Sequence, residues 1–235
     1  MNEDIREGSV LLIPAYNAAG YLEQTLRPLL ERSGSGRISP DRIAVIDDGS
    51  GDGTSACAEK AGVVCLRHEE NSGKGTALMT GMAWARETGR RWAVTMDADG
   101  QHSPGDLDAF WSAPVRPDTA IVVGRRGMRG STMPWHRRLS NHLTTRMISS
   151  LAGKPVFDAQ CGYRMYNLDA ATASAFPREG RFEWESQALV IACRKGFSIL
   201  PVDIATVYTD NGSHMRLALD TFRFLKMFWR LSWTR

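Results

Sequence analysis

No stretch of this 235-residue chain approaches the roughly 18 consecutive apolar side chains that a membrane-spanning helix needs. Any attachment to a bilayer is therefore expected to be peripheral, at the cytoplasmic face. Residues 1–8, MNEDIREG, are polar and mixed in charge, so no signal peptide is expected there. Cysteine is scarce. Cys57, Cys65, Cys161 and Cys193 stand apart, without CxxC or Cys/His ligand spacing. That pattern argues against a thiolate metal site and fits reduced, buried thiols in a cytosolic protein. A dominant charge is also missing: a net charge of +3 is too small to imply nucleic acid as a partner. No repeat, low-complexity tract or linker divides the chain, so residues 1–235 are expected to form one domain with its own core.

What is present is an alternation of short apolar runs and helical patterns. Ser9 to Ile13 is an apolar run closed by Pro14, a buried strand entering a loop. Residues 19–32 place Leu22, Leu26, Leu29 and Leu30 on one helical face. Further strands are expected at 43–46, 63–66, 92–96, 121–123 and 197–204, and further helices at 74–88, 136–151 and 182–195. Strands alternating with helices of this length predict an α/β fold, a doubly wound and mostly parallel sheet flanked by helices. In such sheets ligands sit beyond the carboxyl ends of the strands. Asp47, Asp48, Asp97 and Asp99 all fall just past the ends of apolar runs.

Asp97-Ala98-Asp99 is the sharpest of these signals. Two carboxylates one residue apart where the chain leaves a strand can both reach a hard cation. Mg²⁺ or Mn²⁺ held there would neutralise a leaving diphosphate. Gln101 and His102 follow closely enough in sequence to complete the shell. Alone, the triplet reads equally as a polar turn. The segment Asp47-Asp48-Gly49-Ser50-Gly51-Asp52-Gly53-Thr54 offers acids for a base or ribose, or else a capping turn. Asn71-Ser72-Gly73-Lys74-Gly75-Thr76 invites a phosphate-loop reading and fails it, because His68 stands where the first glycine belongs and Gly75 follows Lys74. A single cation at a helix start can still help bind a diphosphate.

The order of these segments is more specific than any one of them. PAYNAA (14–19), DDGSGDGT (47–54), NSGKGTAL (71–78) and MDADGQH (96–102) resemble the nucleotide-binding half of inverting family 2 glycosyltransferases of the GT-A fold. GRR (124–126), WHRRLSN (135–141), DAQCGYR (158–164) and FEWES (182–186) resemble the acceptor half of their dolichyl-phosphate mannose synthase-like branch. The resemblance implies a nucleotide-sugar and metal half at about 9–124 and an acceptor half at about 125–220. It implies donor contacts from Pro14, Tyr16, Asn17, Asp47, Asp48, Lys74 and Asp97, and metal ligands at Asp97, Asp99 and Gln101. It further implies acceptor contacts from Arg126, Arg137, Ser140 and Arg164. Ala18 departs from the family, which often has an acid there, and this leaves open whether the donor carries GDP or UDP.

The acceptor can be approached from charge. An alcohol must lose a proton as it attacks and needs a general base, whereas a polyprenyl phosphate is already anionic and needs cations. Residues 125–146 carry Arg125, Arg126, Arg129, Arg137, Arg138 and Arg146 and no acid, which suits the phosphate; a solvated basic face is the bland alternative. Glu183 and Glu185 are the counter-argument. They are the candidate bases for a hydroxyl acceptor, although helical spacing puts them on different faces. No QxxRW motif of processive synthases is present. The segment 215–235 is basic and aromatic, with Arg223, Lys226 and Arg230 expected on one face, either against an anionic membrane surface or as snorkelling cations on a core helix.

Overall fold

A computed structural model describes residues 2–31, 38–127, 135–169, 183–205 and 226–233, together with 174, 176, 177 and 181. The strands are β1 (Ser9–Ala15), β2 (Ile43–Asp47), β3 (Val64–Arg67), β4 (Trp92–Thr95), β5 (Thr119–Arg126), β6 (Arg164–Asn167) and β7 (Ser198–Ile204). They form one seven-stranded sheet in the order β3-β2-β1-β4-β6-β5-β7. The helices are α1 (Asn2–Glu7), α2 (Ala19–Leu30), α3 (Thr54–Lys60), α4 (Lys74–Glu87), α5 (Leu107–Trp111), α6 (Trp135–Ala152) and α7 (Trp184–Arg194). A last helical stretch covers 226–233.

The pleat explains the double winding. Along β1, Val10 and Leu12 face one cluster while Leu11 and Ile13 face the other, and β2 repeats this with Ala44 and Ile46 against Ile43 and Val45. Strands buried on both faces read as unbroken apolar runs, which is why β1 and β2 were legible. One face is covered by α4 and α7, the other by α2, α3 and α5. α4 can approach closely because Gly81 presents no Cβ; one there would lie 2.9 Å from Ile46 Cδ1 and 3.1 Å from Leu12 Cδ1.

The expected α/β sheet is present and mostly parallel: β1 pairs in parallel with β2 and β4, β2 with β3, and β5 with β7. β6 is the addition that the periodicity did not reveal. It runs antiparallel between β4 and β5, pairing Thr95 with Arg164 and Val123 with Arg164. A central strand reading Arg-Met-Tyr-Asn has neither the alternation nor the apolar run that marks a strand. The chain order reverses about β1: β2 and β3 extend to one side, β4 to the other. That switch point opens a crevice beyond the carboxyl ends of β1 and β4.

Candidate active site

Three loops meet at this crevice. Residues 14–18 leave β1, 47–54 leave β2, and 96–102 leave β4. The first two are tied together by hydrogen bonds across about thirty-five residues of sequence. Asn17 N donates to Ser50 Oγ at 2.9 Å, and Gly51 N to Asn17 Oδ1 at 3.0 Å. Ala18 N donates to Thr54 Oγ1 at 2.9 Å and Ala19 N to Asp52 Oδ2 at 3.1 Å. Asn17 adopts a left-handed φ of 49°, a conformation asparagine tolerates better than most residues. Tyr16 stands out from the loop, half exposed, beside the partly buried Pro14.

Asp47 and Asp48 are buried, and both carboxylates are engaged by protein donors. Asp47 accepts from Ser50 N at 2.9 Å and from the Ser55 hydroxyl; burial opposes its charge, and these serine donors outweigh it, lowering its pKa. Asp48 accepts from Ser72 N at 3.0 Å, Gly73 N at 2.7 Å and the His68 ring at 2.8 Å. The other nitrogen of His68 meets Thr80 Oγ1 of α4 at 2.9 Å. Asp48 and His68 together set the start of α4 against the end of β2, and so aim Lys74. His68 entered the sequence reading only as a mismatch to a phosphate loop. No local signal marks it, because its partners lie twenty residues before and twelve after.

Lys74 links segments that are far apart in the sequence. Its Nζ lies 2.6 Å from Asp97 Oδ1 and 2.8 Å from Glu185 Oε2. His102 Nε2 lies 3.5 Å from Asp97 Oδ2. Burial disfavours the ammonium, but Asp97 and Glu185 outweigh it and raise Lys74 above the ordinary lysine range. Burial likewise disfavours the Asp97 carboxylate, and Lys74 followed by His102 hold it well below the usual carboxylate range. Asp99 goes the other way: burial, then the adjacent Asp97 charge, push its pKa up. Gln101 contributes its backbone, donating N–H to Asp99 Oδ1 at 3.0 Å. Gly162 presses on the pair from the loop before β6, where a Cβ would stand 2.5 Å from Asp97 Oδ2 and 2.9 Å from Lys74 Nζ.

Glu183 and Glu185 are placed differently, although only Glu185 is on the helix. Glu185 is on the first turn of α7 and buried, while Glu183 precedes the helix and is partly buried. Each keeps one buried carboxylate oxygen, Glu183 Oε2 and Glu185 Oε1, without a hydrogen-bond partner among the described residues.

Among the residues expected to take the acceptor, Arg126 forms a bidentate pair with Asp158, Nε to Oδ2 and Nη2 to Oδ1, both at 2.8 Å. Asn141 of α6 donates to the same carboxylate at 2.9 Å. Asp158 was named in no role by the sequence reading, since its partners come from two distant segments. Ser140 is exposed near the start of α6; Arg137 is on that helix, its side chain outside the described residues, as is Arg129. Arg125 pairs with Asp203 at 2.7 Å on the surface. The acceptor contact expected of Arg164 is corrected. Its guanidinium is completely buried and donates to the carbonyls of Cys161, Glu185 and Ala159 at 2.7 to 2.8 Å. A cation on a central strand must find acceptors inside the protein, and here it staples the loop before β6 to the start of α7.

A seven-stranded α/β sheet with nucleotide-type loops at its switch point and paired aspartates beyond β4 defines a glycosyltransferase of the GT-A class. The chain belongs to glycosyl transferase family 2, whose model matches residues 10–173. It is 30% identical over 242 residues to the UDP-N-acetylglucosamine–dolichyl-phosphate N-acetylglucosaminyltransferase of Methanococcus voltae, covering 94% of this chain and 93% of that one. It is 31% identical over 212 residues to the undecaprenyl-phosphate mannosyltransferase of Micrococcus luteus, covering 86% and 84%. Its fold matches that of glucosyl-3-phosphoglycerate synthase from Mycobacterium tuberculosis, solved with Mn²⁺, UDP and phosphoglyceric acid. The TM-score is 0.74 at 15% identity, over 98% of this chain and 82% of that one.

Proposed function

We propose that this enzyme transfers a sugar, with inversion, from a nucleotide diphosphate donor to a polyprenyl phosphate, and that a divalent cation assists at Asp97 and Asp99. What carries the reading is the pair of named relatives. They differ in the sugar they move and share a polyprenyl-phosphate type of acceptor, so the acceptor class is the transferable part. The local chemistry agrees. Glu185 is committed to Lys74 and is poorly placed as a free base, whereas an anionic acceptor needs none. Arg126, with Arg137 and Ser140 on the facing helix, is the cationic and hydroxyl set proposed to hold the acceptor phosphate.

The paired aspartates fit Mg²⁺ or Mn²⁺. They are oxygen donors, partly buried and of like charge; burial, then the neighbouring Asp97 charge, disfavours ionised Asp99, a cost that a cation would relieve. A cation there supplies electrostatic stabilisation of the departing diphosphate. Tyr16, Pro14 and the interlocked loops 14–18 and 47–54 are proposed to receive the base and ribose, with Lys74 at the phosphates. Arg126 holds the acceptor oxygen in line with the anomeric carbon, so that the C1–oxygen bond to the donor breaks as the C1–oxygen bond to the acceptor phosphate forms.

No helix among the described residues is long and apolar enough to cross a membrane. The helix at 226–233 supports surface contact. It buries Met227 and Leu231 and turns Lys226, Trp229, Arg230 and Trp233 outward as one stripe. The two indoles are 65% and 78% exposed and stack at 6.1 Å. Arg223 and the rest of 215–225 lie outside the described residues. Indoles between cations suit the headgroup region of an anionic bilayer.

The deciding measurement is turnover with a polyprenyl phosphate against the matching polyprenol. Transfer to the phosphate alone is the expected result; transfer to the alcohol alone would move the reaction to a hydroxyl acceptor with Glu183 or Glu185 as base.

A further inference from the structure

Lys74 stands between two carboxylates of different parentage. Asp97 belongs to the loop after β4 and Glu185 to the first turn of α7. Among themselves, Asp97, Asp99, Glu185 and Lys74 are three carboxylates and one ammonium, a net charge of −2, which the buried Arg164 guanidinium offsets in part through Glu185. Burying such an excess is costly unless something positive joins it. A divalent cation would cancel it, and the ammonium now occupies one of the oxygens such a cation would use. Glu185 has a second oxygen, Oε1, that is buried and without a partner among the described residues. The loop carrying Gly162 prevents the cluster from spreading on that side.

We propose that Lys74 is a resident counter-cation for Asp97, and that Glu185 is a positioning residue holding the ammonium while Lys74 moves from Asp97 to the donor's phosphates. The inference rests on the metal-assisted reading above and adds a role that reading does not contain. Glu185 is the fixed end of a tether, with its spare oxygen ready to follow the ammonium, and it is not the base of the reaction. In the resting site Lys74 competes with the divalent cation for Asp97 Oδ1. Once a diphosphate enters, Lys74 has a better anion within reach, and Asp97 is released to the cation. Binding of cation and nucleotide are thereby coupled through one side chain, each favouring the other.

The test is Mn²⁺ affinity of the full chain without nucleotide, read by the electron paramagnetic resonance of free Mn²⁺, in wild type, Lys74→Met, Lys74→Arg and Glu185→Gln. Removing the ammonium leaves a net charge of −3, so Lys74→Met should bind Mn²⁺ about tenfold more tightly or better. Glu185→Gln leaves −1 and a lysine with Asp97 as its remaining carboxylate, so Mn²⁺ should bind about tenfold more weakly. Lys74→Arg, which keeps the charge, should stay near wild type. With Mn²⁺ saturating, Lys74→Met should lose about tenfold in nucleoside diphosphate affinity, and the favourable coupling between the two ligands should vanish. A folded Lys74→Met that binds Mn²⁺ no better than wild type overturns the proposal. So does a Glu185→Gln variant with unchanged Mn²⁺ affinity and only kcat reduced, which is the signature of a general base. Should wild type bind no Mn²⁺, a gain of binding in Lys74→Met still supports the counter-cation; binding in neither variant removes it together with the metal reading. Mn²⁺ binding that is present but indifferent to Lys74 removes the counter-cation and leaves the metal reading standing.

Discussion

Asp99 is partly buried beside the negatively charged Asp97, and its carboxyl is pushed up by burial and by that neighbour. A cation binding there should therefore stabilise the fold, since it binds the folded site alone. Asp99→Asn should leave the melting temperature in metal-free buffer within a few degrees of wild type, abolish the stabilisation given by Mn²⁺ with nucleotide, and lower transfer by about 100-fold or more. Thermal shift and a radiolabelled transfer assay read the two effects separately; a variant that keeps its Mn²⁺ response moves the metal away from Asp99. Asp158 gives the residue-scale prediction in pH. Burial opposes its charge, and Arg126, then Asn141, outweigh it, so its folded pKa lies below the unfolded one. A carboxylate of that kind stabilises above the unfolded pKa of about 4, and the contribution is lost as pH falls through the folded value. Asp158→Asn should cost about 2 kcal/mol at pH 7, with the gap to wild type closing below about pH 4 in urea melts. A gap that persists unchanged at pH 3 would assign the loss to packing instead. Of these residues, Asp97, Asp99 and Lys74 stood out in the sequence because strand ends and a helix start mark them locally. Asp158 and His68 did not, because each is defined by partners from distant segments.

At the scale of elements, the loop before β6 is as much part of the site as the acids. Gly162 sits where any side chain would meet both Asp97 and Lys74. Gly162→Ala should leave the sheet intact, because the residue precedes β6, and should reduce nucleotide affinity and kcat together by about tenfold or more, from a displacement on the order of 1 Å. Circular dichroism and melting check the first expectation, and a nucleotide titration the second; unaltered kinetics would mean that the cluster can relax away from the loop. β6 itself explains the one corrected role. An arginine in a motif that resembles an acceptor segment was read as a ligand, yet a central strand turns its side chains into two cores. Arg164 meets that cost with three carbonyl acceptors. Period-2 reasoning has no way to see this, since the four residues Arg-Met-Tyr-Asn neither alternate nor form an apolar run. The long apolar strands β1 and β2 and the helices α2 and α4 had such patterns and were legible.

At the scale of the whole molecule, the helix at 226–233 packs Met227 and Leu231 into the cluster beneath α7, and Arg194 of α7 donates to the Leu231 carbonyl at 2.8 Å. The basic, aromatic sequence of this segment suits either a core helix or a membrane-facing one. The structure places apolar side chains inward and an indole–cation stripe outward, so the first description is met and the second becomes testable. The full chain should sediment with vesicles containing anionic lipid and much less with neutral ones, and added salt should release it. Lys226→Glu and Arg230→Glu should each weaken vesicle binding by roughly fivefold or more, and Trp229→Ser with Trp233→Ser should lower it further without lowering transfer to a detergent-dispersed acceptor. Equal sedimentation of wild type and the double tryptophan variant would detach the stripe from the membrane.

The sequence by itself determined the class of fold, which follows from apolar runs and helical periodicity readable within a few residues, and the order of its Asp- and Gly-containing segments carried the resemblance to the family. Only the tertiary structure decided what each polar group is used for. Packing on the sheet brings the start of α4, the end of β4 and the start of α7 together at one point, so a lysine at residue 74 faces an aspartate at 97 and a glutamate at 185. It also consigns Arg164 to the interior and assigns Asp158 to Arg126. Charged groups act through space over a few ångströms, and distances of that kind between distant segments are set by packing alone.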